Sequence, residues 1–158
     1  EMNSSISGTS VTYHKNINIG LAVAIENGLM VPVMYNCEEK NFLGLCRAVN
    51  DIAHRTRTKN ISAEELQGST FSITNFGIFG VTMGTPIINQ PNVGILGIGA
   101  VKKQPVVVES PQGDGITIRS MMMISLGFDH RLIDGAGAAK FIEKVRHYLE
   151  TMNSGTIL

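Results

Sequence analysis

The sequence lacks net charge, a set of pairable cysteines and any apolar run long enough to cross a membrane. Its 13 basic and 13 acidic side chains cancel, which leaves no chain-wide electrostatic pull toward nucleic acid or an anionic bilayer. No apolar stretch reaches the roughly 18–20 residues that a bilayer demands. Cys37 and Cys46 are too few for a disulfide framework, and no CxxC or HExxH spacing points to a metal site. Sparse thiols fit a reducing compartment. The opening residues, Glu1-Met2-Asn3-Ser4-Ser5, show no basic region followed by an apolar one, so no signal peptide is expected. They also lack an initiating methionine, so a piece of a longer polypeptide is expected. What is present can build a core. Hydrophobic residues at 43% against charged residues at 16% exclude a disordered tail. Area scaling for 158 residues gives roughly 7,800 Å² folded against roughly 25,000 Å² extended, about 69% buried, which suits one compact unit.

Ile17 to Ile25 reads as a strand, Glu26-Asn27-Gly28 as a turn, and Leu29 to Tyr35 as the returning strand. Pro32 cannot donate to a ladder, which places that stretch at an edge or a bulge. From Asn41 the period changes. Phe42, Leu45, Val49, Ile52 and Ala53 recur at helical spacing, with Arg55, Arg57 and Lys59 where a helix C-terminus favours cations. Those charges are read as a solvated helix end. In the next segment Ser62 is expected to cap a helix, with Glu65 as capping-box partner and Gly68 closing the short turn. Ser69 to Asn75 alternates as a half-buried strand. The Gly77-Ile78-Phe79-Gly80 run that follows has neither the Lys-Ser/Thr of a P-loop nor dinucleotide-turn spacing. Pro86 and Pro91 bracket an extended stretch, and Val93 to Val101 is a glycine-laced strand. Val106 to Val108 and Ile116 to Arg119 flank a turn-rich connection, a second hairpin. Met121 to Phe128 reads as one near-continuous buried strand with its methionines as core filler. Ala136, Ala139, Phe141, Ile142, Val145 and Leu149 predict a helix from about Gly135 to Glu150. The fold class is α+β, one mixed sheet with helices on one face.

The string Phe128-Asp129-His130-Arg131-Leu132-Ile133-Asp134-Gly135-Ala136 carries the chemistry. Histidine is the side chain best suited to take a proton near neutral pH, and at a strand end it can deprotonate a thiol or hydroxyl brought within reach. Asp134, before a helix-starting glycine, can orient that site or bind Arg131 or another cation. A core histidine and a helix-capping aspartate fit the same spacing. His14, His54 and His147 stand beside Lys15, Arg55 and Arg146 and are read as surface.

In its longer form, Asp-His-Arg-x-x-Asp-Gly-Ala, this string resembles the active-site motif of the dihydrolipoamide acyltransferases, the catalytic cores of the 2-oxo acid dehydrogenase complexes. Asn18 to Val23 followed by Gly28 to Val33 resembles the family's first hairpin. Ser62 to Phe71 resembles its helix-to-strand segment, and Pro86 to Gly97 its proline-bracketed stretch, so the likeness runs from about residue 14 to 150. The resemblance implies a chloramphenicol-acetyltransferase-like fold, with residues 1–158 as a catalytic domain incomplete at its N-terminal end and the lipoyl and subunit-binding domains elsewhere. It implies that His130 is the general base that deprotonates the coenzyme A thiol. Thr74, within Phe71-Ser72-Ile73-Thr74-Asn75-Phe76-Gly77, matches the hydroxyl donor to the oxyanion. Asp134 matches an acid that holds the site through an ionic contact. Coenzyme A is then a substrate, the lipoyl group rides on a separate domain, and no metal is implied. The implied partners are two further copies in a homotrimer that builds a larger core, the lipoyl domain, and the other subunits of a complex such as pyruvate dehydrogenase. Neither nucleic acid nor membrane is implied, and base and donor come from neighbouring subunits. The implied compartment is the bacterial cytoplasm or the mitochondrial matrix. Two further readings share the motif: a small-molecule O-acetyltransferase of the chloramphenicol type, and an inactive scaffold fragment of the complex core. The Asp129 and Arg131 flanks favour the lipoamide family, while Phe79 and Met83 occupy a loop that the family keeps small or polar.

Overall fold

A computed structural model describes residues 1–153 and 155. In chain order its strands and helices are β1 (Ser4–Ser7), β2 (Ser10–Tyr13), β3 (Ile19–Ile25), β4 (Gly28–Met30), β5 (Val33–Met34), α1 (Phe42–Arg57), β6 (Phe71–Asn75), β7 (Gly94–Ile98), β8 (Lys102–Val108), β9 (Gly115–Met121), β10 (Ile124–Phe128) and α2 (Gly135–Thr151). The main sheet runs β10-β7-β6-β3-β4, with β5 also on β3. It is mixed: β6 lies parallel to both β3 and β7, whereas β10, β4 and β5 are antiparallel to their neighbours. The expected first hairpin is present, with Gly28 at φ 155° in its turn. Pro32 splits the returning strand into β4 and β5, yet its carbonyl still accepts the Leu21 N–H at 2.8 Å. The second hairpin forms as β8–β9, a ribbon separate from the main sheet. A third ribbon, β1–β2, is tied to the Pro91–Asn92 segment by an Ile6 N–H to Pro91 carbonyl bond and a bridge between Ser5 and Asn92.

Helix α1 starts at Asn41, whose side chain accepts the Gly44 N–H at 2.9 Å, and it packs on β3 and β5. Arg55 near its end is a strut rather than a loose charge, bound to Asp51 at 2.9 Å and to Glu65 at 2.7 Å. Helix α2 leans on β10 and sets Phe141 against Phe71 of β6, ring centroids 5.7 Å apart. No helix among the described residues is long and apolar enough to cross a membrane.

Three expectations need correction. The short turn after Ser62 is a 3-10 turn, Glu64–Leu66, and Ser62 does not cap it through its side chain. Only half of the capping box forms, the Ser62 N–H donating to Glu65 at 3.1 Å. Glu65 is also held by Arg55, and Gly68, at φ 78°, turns the chain into β6 before another turn can form. The methionine run is not a buried strand. Met121 ends β9, β10 begins at Ile124, and Met121 and Met123 are 39% and 49% exposed. The chain changes partner there, from β8 to β7, and an apolar run without a period carries no mark of that break. His14 is half-buried, its Nε2 3.0 Å from Ser5 Oγ across the first ribbon.

Candidate active site

The motif string forms a connection anchored at both ends. Where β10 stops, the Asp129 N–H still donates to the Val93 carbonyl at 2.9 Å. The Asp129 carbonyl then accepts from Leu132 N (3.1 Å) and Ile133 N (3.0 Å), which closes a tight turn. Ile133, 1% exposed, plugs the core beside Val93 and Ala138. Asp134 takes extended backbone and caps α2, its Oδ1 accepting the Gly137 N–H at 2.6 Å. The Asp129 carboxylate grips Arg131 through two oxygens, Oδ1 to Nε at 2.9 Å and Oδ2 to Nη2 at 2.6 Å. Hydrogen bonds from the Arg131 side chain, then its backbone N–H, hold the Asp129 carboxyl down at about 2. Arg131 is thus committed to Asp129, which corrects the option that Asp134 binds it. Between these anchors His130 is exposed, its ring 5.5 Å from that of Phe128.

Thr74 lies elsewhere. It is half-buried on β6, between Ala22 of β3 and Gly97 of β7. It opens into a cleft of about 360 Å³ lined also by Leu29, Val31, Ser72, Ile95 and the Pro86 to Asn89 strap. Gly97 permits this geometry, because a Cβ there would fall 2.8 Å from the Phe76 ring and 2.5 Å from Ser125 Oγ. The loop after β6 is pinned by Ser125 Oγ donating to the Gly84 carbonyl at 2.6 Å and by Lys102 Nζ donating to Thr82 at 2.8 Å. Phe79 on that loop is 69% exposed.

The fold brings His130 and Asp134 onto one connection but holds Thr74 away from them. Thr74 pairs with Gly97, and Gly97 with Ser125, so β10 is two strands over, about 10 Å. β10 runs antiparallel to β6 and β7, so Phe128 lies three residues, about 10 Å, further toward the opposite end of the sheet. His130 follows it, beyond hydrogen-bond reach of anything bound at Thr74 of the same chain. Sequence reasoning passed over Asn92 and Ser72. Asn92 is buried, and its amide donates to Ser69 at 3.0 Å and to Ser72 at 2.9 Å. Its only sequence signal is a polar residue wedged between Pro91 and an apolar strand. A larger cleft, about 550 Å³, runs between Met121 to Ile124 and the end of α2, and contains none of these groups.

The family model for the 2-oxoacid dehydrogenases acyltransferase catalytic domain matches residues 1–157. Over 149 residues the chain is 44% identical to the dihydrolipoyllysine-residue acetyltransferase component of the acetoin cleaving system of Bacillus subtilis, covering 94% of this chain and 36% of the relative. It is 38% identical over 149 residues to the succinyltransferase component of the 2-oxoglutarate dehydrogenase complex of the same organism, covering 94% and 35%. The chain therefore spans about a third of the length of these relatives. Among solved structures it superposes on the dihydrolipoamide acetyltransferase of Azotobacter vinelandii with TM-score 0.86 at 37% identity, over 95% of this chain and 61% of that one. That enzyme's mechanism has been probed at a serine, a histidine and an asparagine, the last two four positions apart. The cubic core of a pyruvate dehydrogenase multienzyme complex superposes with TM-score 0.85 at 37% identity, over 94% and 60%. With the motif connection, the mixed sheet and the match over residues 1–157 in agreement, this chain belongs to the acyltransferase catalytic domains of the 2-oxoacid dehydrogenases.

Proposed function

We propose that the chain is the catalytic part of an acyltransferase that moves an acyl group between dihydrolipoamide and coenzyme A, at the core of a 2-oxo acid dehydrogenase complex in the bacterial cytoplasm or the mitochondrial matrix. The observation that carries this reading is the doubly anchored connection that leaves His130 exposed between the Asp129–Arg131 fork and the Asp134 cap. The His130 imidazole takes the proton of the coenzyme A thiol. The thiolate sulfur bonds to the carbonyl carbon of the acyl-dihydrolipoamide thioester, and negative charge gathers on the carbonyl oxygen. Thr74 donates its hydroxyl to that oxygen, the kind of electrostatic aid whose removal costs about 10²–10³ in turnover. Collapse breaks the bond to the dihydrolipoamide sulfur, and the imidazolium returns its proton to it. One thioester has replaced another, with no net change in protons. Asp134 is a positioning residue, because it fixes the start of α2 and hence the turn that carries His130.

The wide separation of Thr74 and His130 within one chain supports a trimer in which His130 of one protomer faces Thr74 of the next. The lipoyl group arrives on a separate domain, and we read residues 1–158 as part of a catalytic domain. The test follows consumption of acyl coenzyme A by the full-length protein, resolved by chromatography because a thiol acceptor leaves the thiol count unchanged, with dihydrolipoamide and a hydroxyl compound as alternative acceptors. Dihydrolipoamide is the acceptor expected to react. His130→Ala is expected to lower its acylation about 10²–10⁴-fold while assembly survives. Undiminished transfer in that variant refutes the assignment of the base.

A further inference from the structure

The walls of the Thr74 cleft bear on which acyl group is carried, a point that overall identity leaves open between acetyl- and succinyl-transferring relatives. On the face of the sheet that holds Thr74, the register sets Ala22 beside it, and Ser72 between Gly20 and Ile95. Val31 closes one side, its Cγ1 3.0 Å from where a Cβ on Gly20 would stand. The strap closes the other, with the Pro86 carbonyl 2.9 Å and Ile88 3.9 Å from where a Cβ on Gly127 would stand. Of the polar side chains lining the cleft besides Thr74, Ser72 and Asn89 are uncharged, and the Ser72 hydroxyl already accepts the Asn92 amide. A carbonyl held at the Thr74 hydroxyl shares its cleft with Ala22, Val31, Ile88 and Ile95, the apolar groups offered to its carbon chain. A chain ending in carboxylate loses its hydration against those groups with no cation among this chain's residues that line the cleft, and Arg131, which arrives beside His130 of the neighbouring protomer, is already held by the Asp129 carboxylate.

Resting on the acyl transfer proposed above, we infer that the group carried is a short uncharged aliphatic acyl, acetyl or a small branched chain, and not a dicarboxylic one. The experiment measures kcat/KM of the full-length protein for acetyl, isobutyryl and succinyl coenzyme A, with dihydrolipoamide as acceptor. The better of the two uncharged donors is expected to exceed succinyl by about a hundredfold or more, the range in which a pocket unable to satisfy a buried polar group rejects it. Succinyl transfer within tenfold of the best donor, abolished by His130→Ala, overturns this inference and leaves the transfer chemistry standing. Absence of transfer from all three donors overturns both. A second readout is Ala22→Val, confirmed as folded by its melting temperature. Narrowing the floor is expected to lower the ratio of isobutyryl to acetyl turnover roughly tenfold, and an unchanged ratio overturns the placement of the chain on this floor.

Discussion

A helix N-cap works through an oxygen that accepts a backbone N–H, and Asp134 meets that need with a 2.6 Å bond from Gly137. Asparagine offers the same oxygen without the charge. Asp134→Asn is therefore expected to melt close to the parent and to keep most of its acyl transfer. Asp134→Ala is expected to lose about 1 kcal/mol of stability, read by thermal unfolding. A collapse of kcat in the asparagine variant with melting unchanged would instead reveal the ionic role that the family resemblance implies. Asp129 makes a different prediction. Arg131 holds its carboxyl at about 2, below the ordinary 3.8 of an aspartate. A group depressed in this way contributes stability that is fully present above its unfolded value and is lost as pH falls through the folded one. Urea midpoints are thus expected to lose this contribution between about pH 4 and 2, and Asp129→Asn to flatten that part of the curve. Asp134 was legible as a possible cap because capping is local in sequence. The Asp129–Arg131 fork was not, since residues two apart face one another only once Leu132 and Ile133 have closed the turn.

Among the elements, the strap from Pro86 to Asn92 does most to shape the site. Asn92 ties its end to β6, and Gly127 lets its start lie flat on β10. A Cβ at position 127 would stand 2.9 Å from the Pro86 carbonyl and 3.0 Å from Ile95 Cγ2, and a backbone carbonyl does not swing aside as a flexible side chain does. Gly127→Ala is expected to cost about 1–3 kcal/mol in chemical denaturation, as overpacking does. It is also expected to lower kcat/KM through the displaced cleft wall. The hairpins and both helices could be read in advance because Asn27-Gly28, Asn41 and the apolar periods act over a few residues. The break at Met122–Met123 could not. It is set by which distant strand each half pairs with, β8 or β7, and local pattern holds no record of that choice. The short turn at Glu64–Leu66 was legible in Gly68, but the missing Ser62 cap was not, Glu65 being bound by an arginine ten residues earlier.

At the scale of the whole molecule, the accessible surface is 10505 Å², about a third above the roughly 7,800 Å² expected of a compact monomer of this mass. Large apolar side chains are among the groups left exposed. Ile116 and Ile118 on the second ribbon are 82% and 69% exposed, and Phe79 stands out from the loop beside Thr74. A chain that leaves such groups in water and also separates the proposed base from the proposed donor is suited to sharing sites between protomers. That sharing can be tested by mixing defects. His130→Ala alone and Thr74→Ala alone each remove one half of every site in a homotrimer. In trimers assembled from both variants at equal ratio, a site is intact when its histidine comes from the Thr74→Ala chain and its threonine from the His130→Ala chain. Random mixing makes about one site in four intact, so activity is expected to return to about a quarter of the parent's. If base and donor belonged to the same chain, every chain would carry a defect and the mixture would stay as inactive as either variant alone.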